Sequence, residues 1–213
     1  MKLSVLIERT RRRVRLIQLL EAAERAALTP ISMEKLHAFA YLADVLSPVW
    51  KLDPFDFQIS TKRKSPYYPD LQREIDSMIA AGLIEVSSQR YQRVGDDVLF
   101  SADFALRFSS IHANAVLEAS MGDPDLVATQ EYLNELASAL ASLADEDIAA
   151  AASKDIVYAD SFTDIIDFQE MRGRTTNTQR AVQAFDVVFP RTDITPSRRL
   201  YMYAHYLGRR AHG

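Results

Sequence analysis

Apolar residues recur at spacings of three and four along the first stretch of the chain, through Leu3, Leu6, Ile7, Val14, Ile17, Leu20 and Ala23. No Gly or Pro interrupts that period, which predicts one long helix over residues 3–27 closed by Thr29-Pro30. Ser32 is placed to cap a second helix reaching about Leu46. Its buried face would be Leu36, Phe39, Ala40, Ala43 and Leu46, and Pro48 would end it. Residues 55–59 alternate apolar and polar, the period of a short strand. After the basic loop Lys62-Arg63-Lys64, Pro69 fixes φ for a first helical position and Asp70 sets negative charge at the positive helix end. The stripe Leu71, Ile75, Met78, Ile79 follows, with Gly82 as a left-handed stop. Residues 83–86, 91–94 and 98–100 read as short strands, turned at Ser87-Ser88-Gln89 and Gly95-Asp96-Asp97. Helix, strand, helix, hairpin over residues 32–101 is the order of a winged helix.

From residue 102 onward the periodicity reads as helical. Phe104, Leu106, Phe108, Ile111, Ala115 and Leu117 lead to a break at Gly122-Asp123-Pro124, and Leu126, Tyr132, Leu133, Leu136, Leu140 and Leu143 form the next stripe. Ala149 to Ala152 permit close helix approach. A short helix is expected over 160–169, a loop over 172–177, a helix over 178–189 stopped by Pro190, and a last helix from Thr195-Pro196 through Leu207. The expected fold is mainly α with a small β-hairpin: an N-terminal helix plus winged-helix domain (1–101) packed on a helical domain (102–213).

Composition narrows the classes. In 213 residues, 48% are apolar and 25% charged, a balance that excludes wholesale disorder. The absence of cysteine removes disulfides, thiolate nucleophiles and cysteine-ligated metals together. No apolar run approaches the ~20 residues of a membrane span. Glu8, Arg9 and Arg11 to Arg13 break the apolar start, so a secretion signal is not expected and a cytoplasmic location is. Charge is segregated along the chain. Residues 1–15 carry a net +5, residues 118–170 a net −12 with Lys154 as the one base, and residues 171–213 a net +6. Such blocks are solvated helix faces, an internal clasp between the ends and the middle, or surfaces for a partner.

The chemistry-bearing residues are sparse. His37, His112, His205 and His212 are far apart and form no ligand motif, so no metal is expected; His37 and His205 read as core or interface residues and His212 as a loose tail. The six glycines are scattered rather than clustered as a phosphate cradle requires, and no serine sits in a nucleophile setting. No cofactor and no catalytic residue is expected. Asp145-Glu146-Asp147 suits a helix start, and Asp160, Asp164 and Asp167 would share one face of the helix expected at 160–169, a conceivable weak cation site.

Nucleic acid is the functional candidate for a winged helix, whose helix 69–81 would enter a groove. Its outward positions are expected to be Gln72, Arg73, Glu74, Asp76 and Ser77, and the two acids argue against base readout. Candidate phosphate-backbone contacts are therefore Lys62, Arg63, Lys64, Arg73, Arg90 and Arg93. Candidate partner-interface residues are Arg11, Arg12, Arg13, Arg15, Arg198, Arg199, Tyr201, Tyr203 and Arg209, since Tyr and Arg are favoured at binding hot spots. Tyr201, Tyr203 and Tyr206 do not lie on one stripe, so some of these rings are expected to point outward.

Three segments carry a resemblance: residues 36–44 (Leu-His-Ala-Phe-Ala-Tyr-Leu-Ala-Asp), 54–57 (Pro-Phe-Asp-Phe), and 64–76 with Ala81-Gly82-Leu83-Ile84. Together they resemble the small middle-component subunits of bacterial ABC-three-component systems, which include the third subunit of the Lamassu anti-phage and anti-plasmid system. The match spans residues 33–86, and Ser65 stands where many members have Gly. The resemblance implies a non-enzymatic adaptor that sits with an SMC/Rad50-like ATPase dimer and an effector, often a nuclease, with non-specific DNA contact and no membrane. Two other classes remain open: a winged-helix transcription regulator, and an antitoxin similar to the Panacea type, which shares the helix–strand–helix layout.

Overall fold

The computed structural model describes residues 3–54, 58–94, 97–106, 111–190 and 193–212. It is mainly helical with a small antiparallel sheet. Helix α1 (Leu3–Arg25) leads into a two-residue strand β1 (Ile31–Ser32) and then α2 (Met33–Leu46). Ser32 caps α2 as its sequence position requires: its hydroxyl accepts from the Lys35 amide at 3.3 Å. From Leu36 to Leu46 every residue of α2 is buried, not one stripe, so α2 is the central strut of the fold rather than an amphipathic surface helix. A 3-10 turn, Ser47–Trp50, begins at Pro48 and ends on Lys51 at φ 60°.

Strand β2 (Gln58–Ser60) precedes α3 (Pro69–Ala80), which starts with Pro69 and Asp70 and ends at Gly82, φ 71°. Residues 55–57 of the expected strand lie outside the described residues. Strands β3 (Ile84–Val94) and β4 (Asp97–Leu106) form one long hairpin, and β1 joins it through Ile31↔Phe104 and Ser32↔Asp103. The turn expected at Ser87-Ser88-Gln89 is instead a bulge, where the register shifts between Ser87 and Arg90 and Ser88 takes φ 51°. Strand β2 does not join this sheet. It pairs antiparallel with β5 (Ile165–Asp167), Ile59 opposite Ile166, tying the two halves of the chain together.

Three further expectations are corrected. Residues 102–106 are strand, not helix: Ala102, Phe104 and Leu106 are buried at period two, although Phe104 also fits a helical spacing toward Phe108. Residues 160–169 are not one helix: α7 (Ile156–Ala159) closes on Asp160, and an irregular stretch leads into strand β5 and the start of α8 (Phe168–Met171). Asp160, Asp164 and Asp167 therefore share no helix face; Asp164 pairs with Lys62 at 3.0 Å, and Asp167 accepts from the Gln169 amide at 2.8 Å. Glu74 points inward, not outward. Its carboxylate receives Arg9 Nε and Arg13 Nε, each at 3.0 Å, and both arginines also donate to Ser77 Oγ, clamping α1 onto α3.

The remaining helices are α4 (Ile111–Ser120), α5 (Pro124–Ala141), α6 (Asp147–Ser153), α9 (Asn177–Val188) and α10 (Pro196–His212). Two of the later starts follow the cap-then-proline rule: Asp123 accepts from the Asp125 amide ahead of α5, and Thr195 from the Arg198 amide ahead of α10. Helix α2 packs against α5, α6 and α9, and α10 packs against α5 and α6. The last helix runs on to His212, whose Nε2 meets Asp147 at 2.9 Å, so the expected loose tail is anchored. No described helix is long and apolar enough to cross a membrane.

Candidate partner interface

The C-terminal hairpin of α9 and α10 is positioned from below by one buried carboxylate. Asp155, fully buried, starts α7 by accepting from the Val157 amide at 3.0 Å. The Tyr41 hydroxyl of α2 donates to its Oδ1, while Tyr203 of α10 (2.6 Å) and Thr178 of α9 (2.7 Å) donate to its Oδ2. Four donors fill the carboxylate's lone pairs, which is how a buried charge is tolerated. Burial, then the adjacent Asp155 charge, pushes the Tyr41 and Tyr203 phenols well above their ordinary range, so both remain neutral donors. The hub fixes α9 and α10 against the central helix.

A second polar cluster lies further along α2. His37 is buried, and its Nδ1 accepts from the Tyr68 amide at 3.2 Å, which leaves Nε2 to donate to Gln72 Oε1 at 3.1 Å. The Tyr68 hydroxyl donates to Asp44 Oδ2 at 2.5 Å, and burial beside Asp44 raises that phenol too. Tyr132 Oη donates to the Ala43 carbonyl at 2.8 Å. His37, Tyr41 and Asp44 thus thread a polar seam through an otherwise apolar helix, each satisfied by a neighbouring element. No group of three or more metal-ligating side chains is present among the described residues.

Above the hub the hairpin presents its outer face. Thr178 and Val182 of α9 are buried, while Arg180, Gln183, Ala184 and Val187 form the opposite stripe. Val187, Val188 and Phe189 are 80%, 65% and 46% exposed. Consecutive helical residues are about 100° apart, so Val187 and Val188, at about 140° and 240° from Val182, turn off the buried face of α9, and Phe189 follows just beyond the helix. That arithmetic was available in the sequence and is the signal its stripe reading passed over. Asp186 and Arg199 staple α9 to α10 with a two-pronged contact at 2.9 and 3.0 Å.

The candidate residues scatter over the molecule. Arg198 and Arg209 are exposed, Tyr201 is half-buried, and Tyr203 is fully buried on Asp155 and offers no surface; Tyr206, at 42% exposure, is the ring that points out. Of the N-terminal arginines, Arg11 is exposed and Arg15 half-buried, but Arg12 reaches Asp70 at 3.5 Å and Arg13 is spent on Glu74. The basic N-terminal block is therefore held in part by α3, a segment outside the other two charge blocks. Lys62 and Arg73 come together along one shallow cavity, each already paired, with Asp164 and Asp70 respectively. Arg63 lies over the Tyr67 ring at 3.8 Å, Lys64 is exposed, and Arg90 and Arg93 are exposed on the outer half of β3. Sequence reading missed Asp155, Asp44 and Tyr68 as a network, because their partners come from segments up to 114 residues away. Comparison with known proteins found no match among family models, curated proteins or solved structures.

Proposed function

We propose that this chain is a non-catalytic adaptor or regulatory subunit of an SMC/Rad50-like ATPase complex in bacterial anti-phage or anti-plasmid defence. In this reading it works in the cytoplasm and bridges the ATPase dimer to an effector nuclease. The elements up to the end of β4 serve as a variant winged helix and those from α4 onward as a largely helical platform. The resemblance over residues 33–86 supports the family. The observation that carries the reading to a surface is the exposed run Val187-Val188-Phe189 on α9, which the Asp186–Arg199 contact and the Asp155 hub tie to α10. Contiguous apolar exposure with arginine alongside is the signature of a protein contact. Non-specific DNA contact through Arg90 and Arg93 is compatible with this role. Operator reading by α3 draws less support, because Glu74 and Asp70 on that helix are engaged by α1 arginines.

The test is purification of the tagged chain from cells expressing its native gene neighbourhood. A long coiled-coil ATPase should elute with it in fixed ratio, and the Val187→Asp/Val188→Asp double variant should lose that companion while keeping its helical circular dichroism. Recovery of the unaltered chain alone overturns the proposal.

A further inference from the structure

Helices α1, α4 and α5 enclose an open groove of about 320 Å³. Leu117, Leu126 and Val127 supply its apolar lining, and Met121, 73% exposed, stands at its edge. The charged edge is acidic. Glu118 and Glu131 are exposed and have no ion-pair partner among the described residues, whereas Glu21 is held by Arg25 at 2.8 Å.

The polar lining also holds an acceptor without a partner. Gln130 Nε2 donates to the Gln18 carbonyl at 3.2 Å and to Asn134 Oδ1 at 3.0 Å, and Gln18 Nε2 donates to the Leu126 carbonyl at 2.8 Å. Those acceptors fix the orientation of both amides. Gln18 Oε1 and Gln130 Oε1 are consequently buried with no hydrogen-bond partner, and Gln18 is fully buried. Of the two only Gln130 lines the groove, and a buried acceptor left unpaired there carries a desolvation penalty that an incoming donor relieves.

We propose that this groove receives a basic amphipathic helix of a partner protein. Its apolar stripe would cover Leu117, Leu126 and Val127, with Lys or Arg set toward Glu118 and Glu131. The charged groups lining the groove are Glu21, Glu118 and Glu131 against Arg25, which favours the same sign of partner. A second copy of this chain is a poor occupant. Its own basic amphipathic helix, α10, already buries Leu200, Tyr203, Ala204 and Leu207 in the core. The inference shares no residue with the α9–α10 surface and stands or falls separately from it.

The experiment uses the full chain and a fluorescein-labelled 18-residue peptide of leucine and lysine with leucines at helical spacing. Saturable anisotropy is expected, weakened about tenfold for a shuffled peptide of equal composition and about tenfold by Glu118→Lys/Glu131→Lys. Met121→Asp, at an exposed position, should weaken binding without unfolding the chain, and Val187→Asp/Val188→Asp should leave it unchanged. Absent saturation, equal binding of the shuffled peptide, or indifference to the charge reversal each overturns the proposal.

Discussion

Lowering the pH should destabilise this protein through one buried imidazole. His37 is 1% exposed, and its Nδ1 already accepts the Tyr68 amide, so a proton there must displace a backbone hydrogen bond in a buried site. Burial is the main cause of its lowered pKa; the Gln72 hydrogen bond opposes it and the Arg63 charge adds to it, bringing the group from 6.5 to about 4. Between those values the unfolded chain binds the proton and the folded chain refuses it. Stability is therefore full above the unfolded pKa and is lost as pH falls toward 4. At about 1.36 kcal/mol per unit, the whole effect is about 3 kcal/mol, of which about 2 falls between roughly pH 7 and pH 5. Urea unfolding followed by circular dichroism at those two pH values measures it. His37→Gln keeps a hydrogen-bonding amide but does not titrate, so its loss between the two pH values should be smaller by about 2 kcal/mol. Parallel pH dependence of the two proteins refutes the reasoning, because carboxylates elsewhere contribute equally to both.

Other substitutions read the same network and its supports. Asp155→Ala strands the hydroxyls of Tyr41, Tyr203 and Thr178 and should cost about 3–5 kcal/mol in chemical denaturation. Tyr203→Phe, which removes one donor and leaves Thr178 on the same oxygen, should cost only about 1–2 kcal/mol. Glu74→Gln discharges the carboxylate shared by Arg9 and Arg13. It should cost about 1–2 kcal/mol, with amide exchange accelerating in α1 more than in α2. Gly82→Ala forces a Cβ into the left-handed region at the end of α3 and should cost about 1 kcal/mol, seen as a melting temperature lowered by about 2–4 °C.

Local signals in the sequence were legible where one residue acts on its own backbone. Ser32, Pro69, Gly82, Asp123 and Thr195 start or stop helices through hydrogen bonds and φ values set within a few positions, and each does so in the fold. Pattern alone failed where two periods coincide. Phe104 belongs equally to a helical series reaching Phe108 and to the alternation Ala102, Phe104, Leu106, and only pairing with Ile31 and Val86 decides for strand. It failed again at residues 160–169, where the backbone finds its partner in β2, about a hundred residues back. The polar seam of α2 was illegible for the same reason: His37, Tyr41 and Asp44 are satisfied by Tyr68, Asp155 and Gln72, none of them a neighbour on the helix. Without those partners each would be a buried polar error.

The charge blocks resolve in a way that composition could not distinguish. Arg9, Arg12 and Arg13 of the basic N-terminus are paired on α3, with Asp70 and Glu74. Within the acidic middle, Lys35 pairs with Asp145 and Lys62 with Asp164. Compensation stops short of Glu118 and Glu131 on one groove and of Arg198 and Arg209 on the last helix, all exposed without ion-pair partners among the described residues. Charges used to hold the fold are thus separable from charges left over. The residue accounts for the two surfaces at once: an acidic, apolar groove on α4 and α5, and a basic, apolar edge on α9 and α10. Opposite signs on separate elements of one chain give two different partners no reason to compete, which is the property a bridging subunit needs.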